Sequence, residues 1–119
     1  MEREEVQNVE KDFKIALGMM RKEAAEVTEA FLNFLRCVRK EGTLSIKQKE
    51  LISLGIALYA KCEPCIILHT KSAIDARATR EELMETYEIA LMMGGSPVAG
   101  YASVFLKALE KFSQRSRST

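Results

Sequence analysis

No run in this chain alternates apolar with polar residues between two turn signals, whereas apolar residues recur almost throughout at intervals of three and four. Alternation would build strands with one wet face; the three-four spacing builds amphipathic helices. The chain is therefore read as all-α, and its punctuation divides it into six helices. Residues 3–17 carry Val6, Val9, Phe13, Ala16 and Leu17 on one stripe, which Gly18 weakens. A second helix is expected over 19–40, with Met20, Ala24, Val27, Phe31, Phe34, Leu35 and Val38 as its apolar stripe. Arg36, Arg39 and Lys40 fall in its last turns, where cations suit the helix dipole, and Gly42 is its stop. Ser45 and Gln48 have the form of a capping box, with Leu44 as a staple, and open a third helix over 46–60. Lys61, Cys62, Glu63 and Pro64 break it, and Pro64 fits the first turn of a fourth helix reaching about Arg77. Thr79 and Glu82 form a second capping box before a helix ending near Met93. After Gly94 and Gly95, Ser96 is the expected cap and Pro97 the first residue of a sixth helix, which carries Val98, Tyr101, Val104, Phe105, Ala108 and Leu109 to about Phe112.

At 119 residues the chain makes one domain, and 47% hydrophobic residues suffice for a modest core and for a subunit interface. Its apolar runs are interrupted by Lys, Glu or Gly, so no membrane span is expected. The acidic opening M-E-R-E-E-V does not have the form of a secretory signal, which makes the cytoplasm the expected compartment. With 18 basic against 17 acidic residues the net charge is +1, a poor footprint for nucleic acid. The tail over 113–119, S-Q-R-S-R-S-T, is read as a disordered end. Three cysteines, two of them close together, favour redox or metal chemistry over a disulfide scaffold.

The chemistry concentrates in residues 50–69. This stretch holds the Cys-x-x-Cys pair Cys62 and Cys65, the single histidine His69, and Glu50 twelve residues before the first thiol. Cys62 falls near the cap of the fourth helix and Cys65 in its first turn, where free backbone N–H groups and the positive end of the dipole favour a thiolate. Either sulfur is thereby a better nucleophile than an ordinary cysteine. Cys65 and His69 are four apart and share a helix face, so the imidazole is placed to accept or relay the thiol proton. The third and fourth helices form an antiparallel hairpin. On the scale of 1.5 Å per residue, Glu50 lies roughly 15 Å below the bend and His69 about 8 Å below it, a gap that a water, a bent hairpin or a long Glu side chain could close. The order Glu50, His69, Cys65, Cys62 is a proton relay ending in a dithiol.

Other readings compete. Cys62, Cys65 and His69 are credible zinc ligands, with Glu50 or Cys37 as a fourth, but a second pair at similar spacing is missing. Cys37, among apolar residues on a helix, is read as a packing residue. A non-catalytic assembly module would explain the amphipathic helices and leave the thiol–His–Glu constellation unused.

At Glu50, Cys62, Cys65 and His69 the chain resembles the alkyl hydroperoxidase D-like proteins of the carboxymuconolactone decarboxylase family, whose motif is Glu, then Cys-x-x-Cys, then His four residues on. The likeness covers roughly residues 45–110 and includes M-G-G-S-P-V-A-G from Met93 to Gly100. It implies a six-helix bundle with the Cys-x-x-Cys on a helical hairpin: N-terminal helices over 1–44, the family core over 45–112, and a tail over 113–119. It also implies a homo-oligomer, a trimer or hexamer. The implied activity is thiol-dependent peroxide reduction without a cofactor, with Cys65 attacking, Cys62 resolving, and His69 and Glu50 relaying the proton. The implied partners are a hydroperoxide and a dithiol reductant such as a lipoyl-bearing or thioredoxin-like protein. The chain departs from the pattern between the cysteines, where it has Glu63 and Pro64 in place of a second histidine. Decarboxylating members of the family do not rely on a Cys-x-x-Cys pair, so its presence here argues against lyase chemistry, which is the alternative within the family.

Overall fold

The computed structural model describes residues 3–117. In chain order the helices are α1 (Arg3–Glu23), α2 (Ala25–Arg39), α3 (Ile46–Ala60), α4 (Glu63–Asp75), α5 (Arg80–Gly94), α6 (Ser96–Ala99) and α7 (Ala102–Arg117), with no strand among the described residues. None of these helices is long and apolar enough to cross a membrane.

The starts of α3 and α5 follow from local chemistry. Ser45 Oγ accepts from the Gln48 N–H at 3.1 Å while the Gln48 side chain accepts from the Ser45 N–H at 2.8 Å. Thr79 and Glu82 repeat the reciprocal pair at 3.1 and 2.8 Å. Each box satisfies two backbone donors that a helix start leaves orphaned.

Three boundaries differ from the sequence expectation. Gly18 lies inside a continuous α1, and the break comes at Ala24, with φ −138° and ψ 59°. A lone glycine costs a helix about 1 kcal/mol but does not end it. At Ala24 the Thr28 hydroxyl donates to the Met20 carbonyl at 3.1 Å, an acceptor it shares with the Ala24 N–H at 2.8 Å. Such side-chain competition for backbone partners bends helices. The sixth helix is split: α6 and α7 are separate, with Gly100 and Tyr101 between them. The residue before α6 is Gly95 rather than Ser96, and its φ of 68° with ψ of −149° is open only to glycine. Finally, α7 continues to Arg117 instead of ending near Phe112, so the expected tail is helical over 113–117; residues 118–119 lie outside the described part.

The core forms where α4 packs between α3, α7 and α1, while α5 closes the other side of α3. Leu54 and Leu58 of α3, Ile66, Ile67 and Ala73 of α4, Leu83 of α5, Val98 of α6, and Phe105, Leu109 and Phe112 of α7 are all buried, with Val6 arriving from α1. Tyr87 stacks on Phe105, ring centroids 5.7 Å apart and planes within 4°. Lys111 ties α7 to Glu10 of α1 at 2.7 Å.

The α2 stripe is not part of this core. Of that helix only Thr28 is buried, while Val27, Phe31, Phe34 and Val38 face outward. The periodicity expected from the sequence is real, and the stripe it forms is exposed rather than packed into the core.

Candidate thiol–histidine–glutamate site

The α3–α4 hairpin positions the site, and its bend is made by Lys61. This residue takes the left-handed conformation, φ 57° and ψ 43°. The Lys61 N–H then donates to the Leu58 carbonyl at 3.2 Å and the Cys62 N–H to the Ala57 carbonyl at 3.1 Å. This paired ending satisfies the last carbonyls of α3 and reverses the chain within two residues. Cys62 follows in extended conformation as the cap of α4, and Pro64 occupies the first turn, where its missing N–H costs nothing.

A disulfide joins Cys62 to Cys65, with their Cα atoms 5.2 Å apart. Cys65 is partly buried against the core cluster. Both sulfurs therefore stand at the N-terminus of α4, where a thiolate released by reduction meets free N–H groups and the positive end of the dipole. His69 is one turn further along α4, on the face of Cys65.

Glu50 meets His69 directly. Its Oε2 lies 2.7 Å from His69 Nδ1, so no bridging water is needed and the expected gap does not exist. The axial estimate placed the two residues at different depths; the reach of both side chains across the hairpin brings them level. Glu50 is only 3% exposed, on the inward face of α3 with Leu54, Ala57 and Leu58. Burial raises its pKa, but the hydrogen bond with His69 and the charges of Arg39 and His69 outweigh that, and the carboxyl is held below its ordinary value. An ionised Glu50 can only accept, so Nδ1 is the donor, which leaves Nε2 unprotonated in the neutral ring.

The structure thus brings Cys62, Cys65, His69 and Glu50 into one hairpin, and adds a residue the sequence did not single out. Arg39, at the end of α2, donates from Nε to Glu50 Oε1 at 3.1 Å, with Nη2 3.0 Å from the same oxygen. Its Nη2 also donates to Ser72 Oγ of α4 at 3.3 Å. In the sequence it is one of three cations at a helix end, and nothing there pairs it with Glu50. Beside Glu50 a polar cleft of about 530 Å³ opens, lined by Arg39, Lys47, Ser72, Asp75 and Arg77 among others.

Other residues part from expectation. Cys37 is exposed and free on α2, not packed. A larger, apolar groove of about 620 Å³ runs between α3 and α5, lined by Leu51, Ile52, Ile56, Tyr59, Ile89 and Met93 among others; neither cysteine, nor His69, nor Glu50 reaches it. Among the described residues no three His, Cys, Asp or Glu side chains converge as metal ligands.

The chain matches the model of the carboxymuconolactone decarboxylase family over residues 25–108, a span that reaches back to the start of α2. An uncharacterised protein of Cupriavidus necator is 41% identical over 83 residues, which is 70% of this chain and 71% of that protein. The uncharacterised protein 4 in the cox locus of Paracoccus denitrificans is 31% identical over 96 residues, 81% of this chain and 86% of its own. Among solved structures, the apo form of a carboxymuconolactone decarboxylase family protein from Legionella pneumophila is similar with a TM-score of 0.87 and 38% identity, covering 92% of this chain and 97% of that one. A family protein from Thermotoga maritima, for which a part in an antioxidative response has been suggested, is similar with a TM-score of 0.74 and 28% identity over 87% of this chain and 94% of its own. By sequence and by fold the chain belongs to the carboxymuconolactone decarboxylase family, and its Cys-x-x-Cys hairpin is consistent with an alkyl hydroperoxidase D-like member.

Proposed function

We propose that this protein reduces hydroperoxides with the Cys62 and Cys65 thiols, using His69 and Glu50 as a proton relay. The observation that carries the reading is the 2.7 Å contact between His69 and a nearly inaccessible Glu50, one helical turn from a cysteine pair at a helix N-terminus. Cys65 gives its proton to Nε2 of His69, while the charge of Glu50 stabilises the imidazolium. The Cys65 thiolate attacks one peroxide oxygen and the O–O bond breaks. The departing alkoxide takes the proton from His69 and leaves as an alcohol, and Cys65 becomes a sulfenic acid. The Cys62 thiol then attacks the Cys65 sulfur; its proton joins the departing hydroxide, giving water and the disulfide. Two electrons pass from the dithiol to the peroxide, and an external dithiol, lipoyl-bearing or thioredoxin-like, returns them by exchange. The cytoplasm, where thiols are kept reduced, suits this cycle.

The working form is a homo-oligomer, a trimer or hexamer. Exposed Phe31 and Phe34 on α2, together with Ile89, Met92 and Met93 on α5, support this, since apolar surface of that kind is normally covered.

Turnover with a small dithiol as reductant tests the roles. Cys65→Ser should consume no peroxide. Reduced and then freed of the dithiol, Cys62→Ser should consume one equivalent and stop as a sulfenic acid that a dimedone-type reagent traps. Parent-like turnover in both variants would end the proposal.

A further inference from the structure

Glu50 divides its two oxygens between two helices. Oε2 takes His69 Nδ1 of α4 at 2.7 Å, while both Arg39 contacts, from α2, fall on Oε1 at 3.1 and 3.0 Å. The Arg39 head is in turn pinned to α4 by its 3.3 Å bond to Ser72. We propose that Arg39 is a positioning residue of the thiol site: by occupying Oε1 it directs Oε2 to His69, and by carrying the countercharge of Glu50 it weakens that carboxylate's pull on a ring proton, which favours an imidazole able to take one from Cys65. This rests on the relay described under the proposed function and adds to it a residue from outside the Cys-x-x-Cys hairpin.

The electrostatics follow from burial. A carboxylate shielded from water, with an imidazole as its only partner, would draw a proton onto the ring, and an imidazolium cannot accept one from Cys65. With Arg39 in place the carboxylate is already balanced. Other charges near Glu50 are committed elsewhere or at the rim. Lys47 of α3 pairs with Glu82 of α5 at 2.9 Å, and Glu41, Asp75 of α4 and Arg77 line the adjoining cleft. Within ion-pair distance of Glu50, among the described residues, stand Arg39 and His69. A lysine could supply the charge but not an N–H to Oε1 from one nitrogen together with an N–H to Ser72 from another.

The chain has a single histidine, so ring-proton NMR reads His69 without ambiguity. The titration is run on the full chain in its disulfide form, where neither Cys62 nor Cys65 carries a thiol. Removing a nearby cation favours the charged ring, so Arg39→Gln should raise the His69 midpoint by about half to one pH unit. Arg39→Lys should recover most of that shift. In a Glu50→Gln background the Arg39 head has no carboxylate to hold it and relaxes into solvent, so Arg39→Gln should then move the midpoint by less than half as much. An unchanged or lower midpoint in Arg39→Gln, or an equal shift in both backgrounds, would overturn the assignment. The readout does not depend on turnover. A chain that shows the shift but consumes no peroxide loses the peroxide reading alone, and one that consumes peroxide without the shift loses the role of Arg39 alone.

Discussion

Glu50 is a carboxylate almost without water, and its acidity is the residue-scale consequence of its partners. Desolvation alone would raise its pKa above the ordinary 4.5; the His69 hydrogen bond and the Arg39 and His69 charges bring it below. A carboxyl depressed in the folded state contributes stability that is fully present above the unfolded pKa and is lost as pH falls through the folded one. Glu50→Gln should therefore be less stable than the parent at neutral pH by about 1.5–3 kcal/mol, the range for hydrogen bonds to a charged group. That difference should shrink as the pH falls below 4.5. Chemical denaturation of both proteins from about pH 7 to about pH 3 checks it. Glu82, held low by the Thr79 backbone bond and by Lys47, titrates in both proteins and cancels from the difference. A gap of constant size across the range would mean that Glu50 is not ionised in the folded protein.

At the scale of elements, helix starts and helix ends are encoded differently. The starts of α3 and α5 were legible because a capping box needs only four consecutive residues, and Ser45–Gln48 and Thr79–Glu82 both form as read. The ends were not. Lys61 and Arg77 turn the chain at φ 57° and 70°, a conformation that composition suggests only when glycine supplies it. Replacing Lys61 by glycine should then stabilise the fold by about 0.5–1 kcal/mol, since a left-handed side-chain residue carries a steric cost that glycine does not. A rise in melting temperature checks this, and a fall would show that the Lys61 side chain, over the Tyr59 ring at 5.5 Å, contributes more than its backbone costs. Gly94 is required for a different reason. A Cβ there would overlap Val98 Cγ2, and Val98 is fully buried. Gly94→Ala should cost about 1–3 kcal/mol by overpacking, read as a lower denaturation midpoint. Of the site, the hairpin members Cys62, Cys65 and His69 were legible from spacing, with Glu50 marked by the resemblance. Arg39 was not, because its contact with Glu50 exists only once α2 folds back on the hairpin, and no local pattern records that approach.

For the whole molecule, the organising fact is a core built on α4 and an apolar surface left over. Val27 is 72% exposed, Phe31 56% and Phe34 60%, on a helix that buries almost nothing within the protomer. Large apolar residues repeated on one exposed helix face mark an interaction surface, and the proposed cover is another copy of the chain. Phe31→Glu combined with Phe34→Glu should lower the sedimentation mass toward that of one 13.4 kDa chain, whereas an unchanged assembly would place the interface elsewhere. Arg39 sits at the end of the same helix, so the proposed interface and the thiol site would meet in α2. The account as a whole turns on whether Cys62 and Cys65 exchange two electrons with a peroxide. The direct measurement is titration of the fully reduced protein with hydroperoxide, followed by a free-thiol count and intact mass. The account predicts that one equivalent of peroxide removes two thiols per chain and joins Cys62 to Cys65, with Cys37 left free. Thiols that survive excess peroxide, with the mass of the reduced chain unchanged, would contradict it.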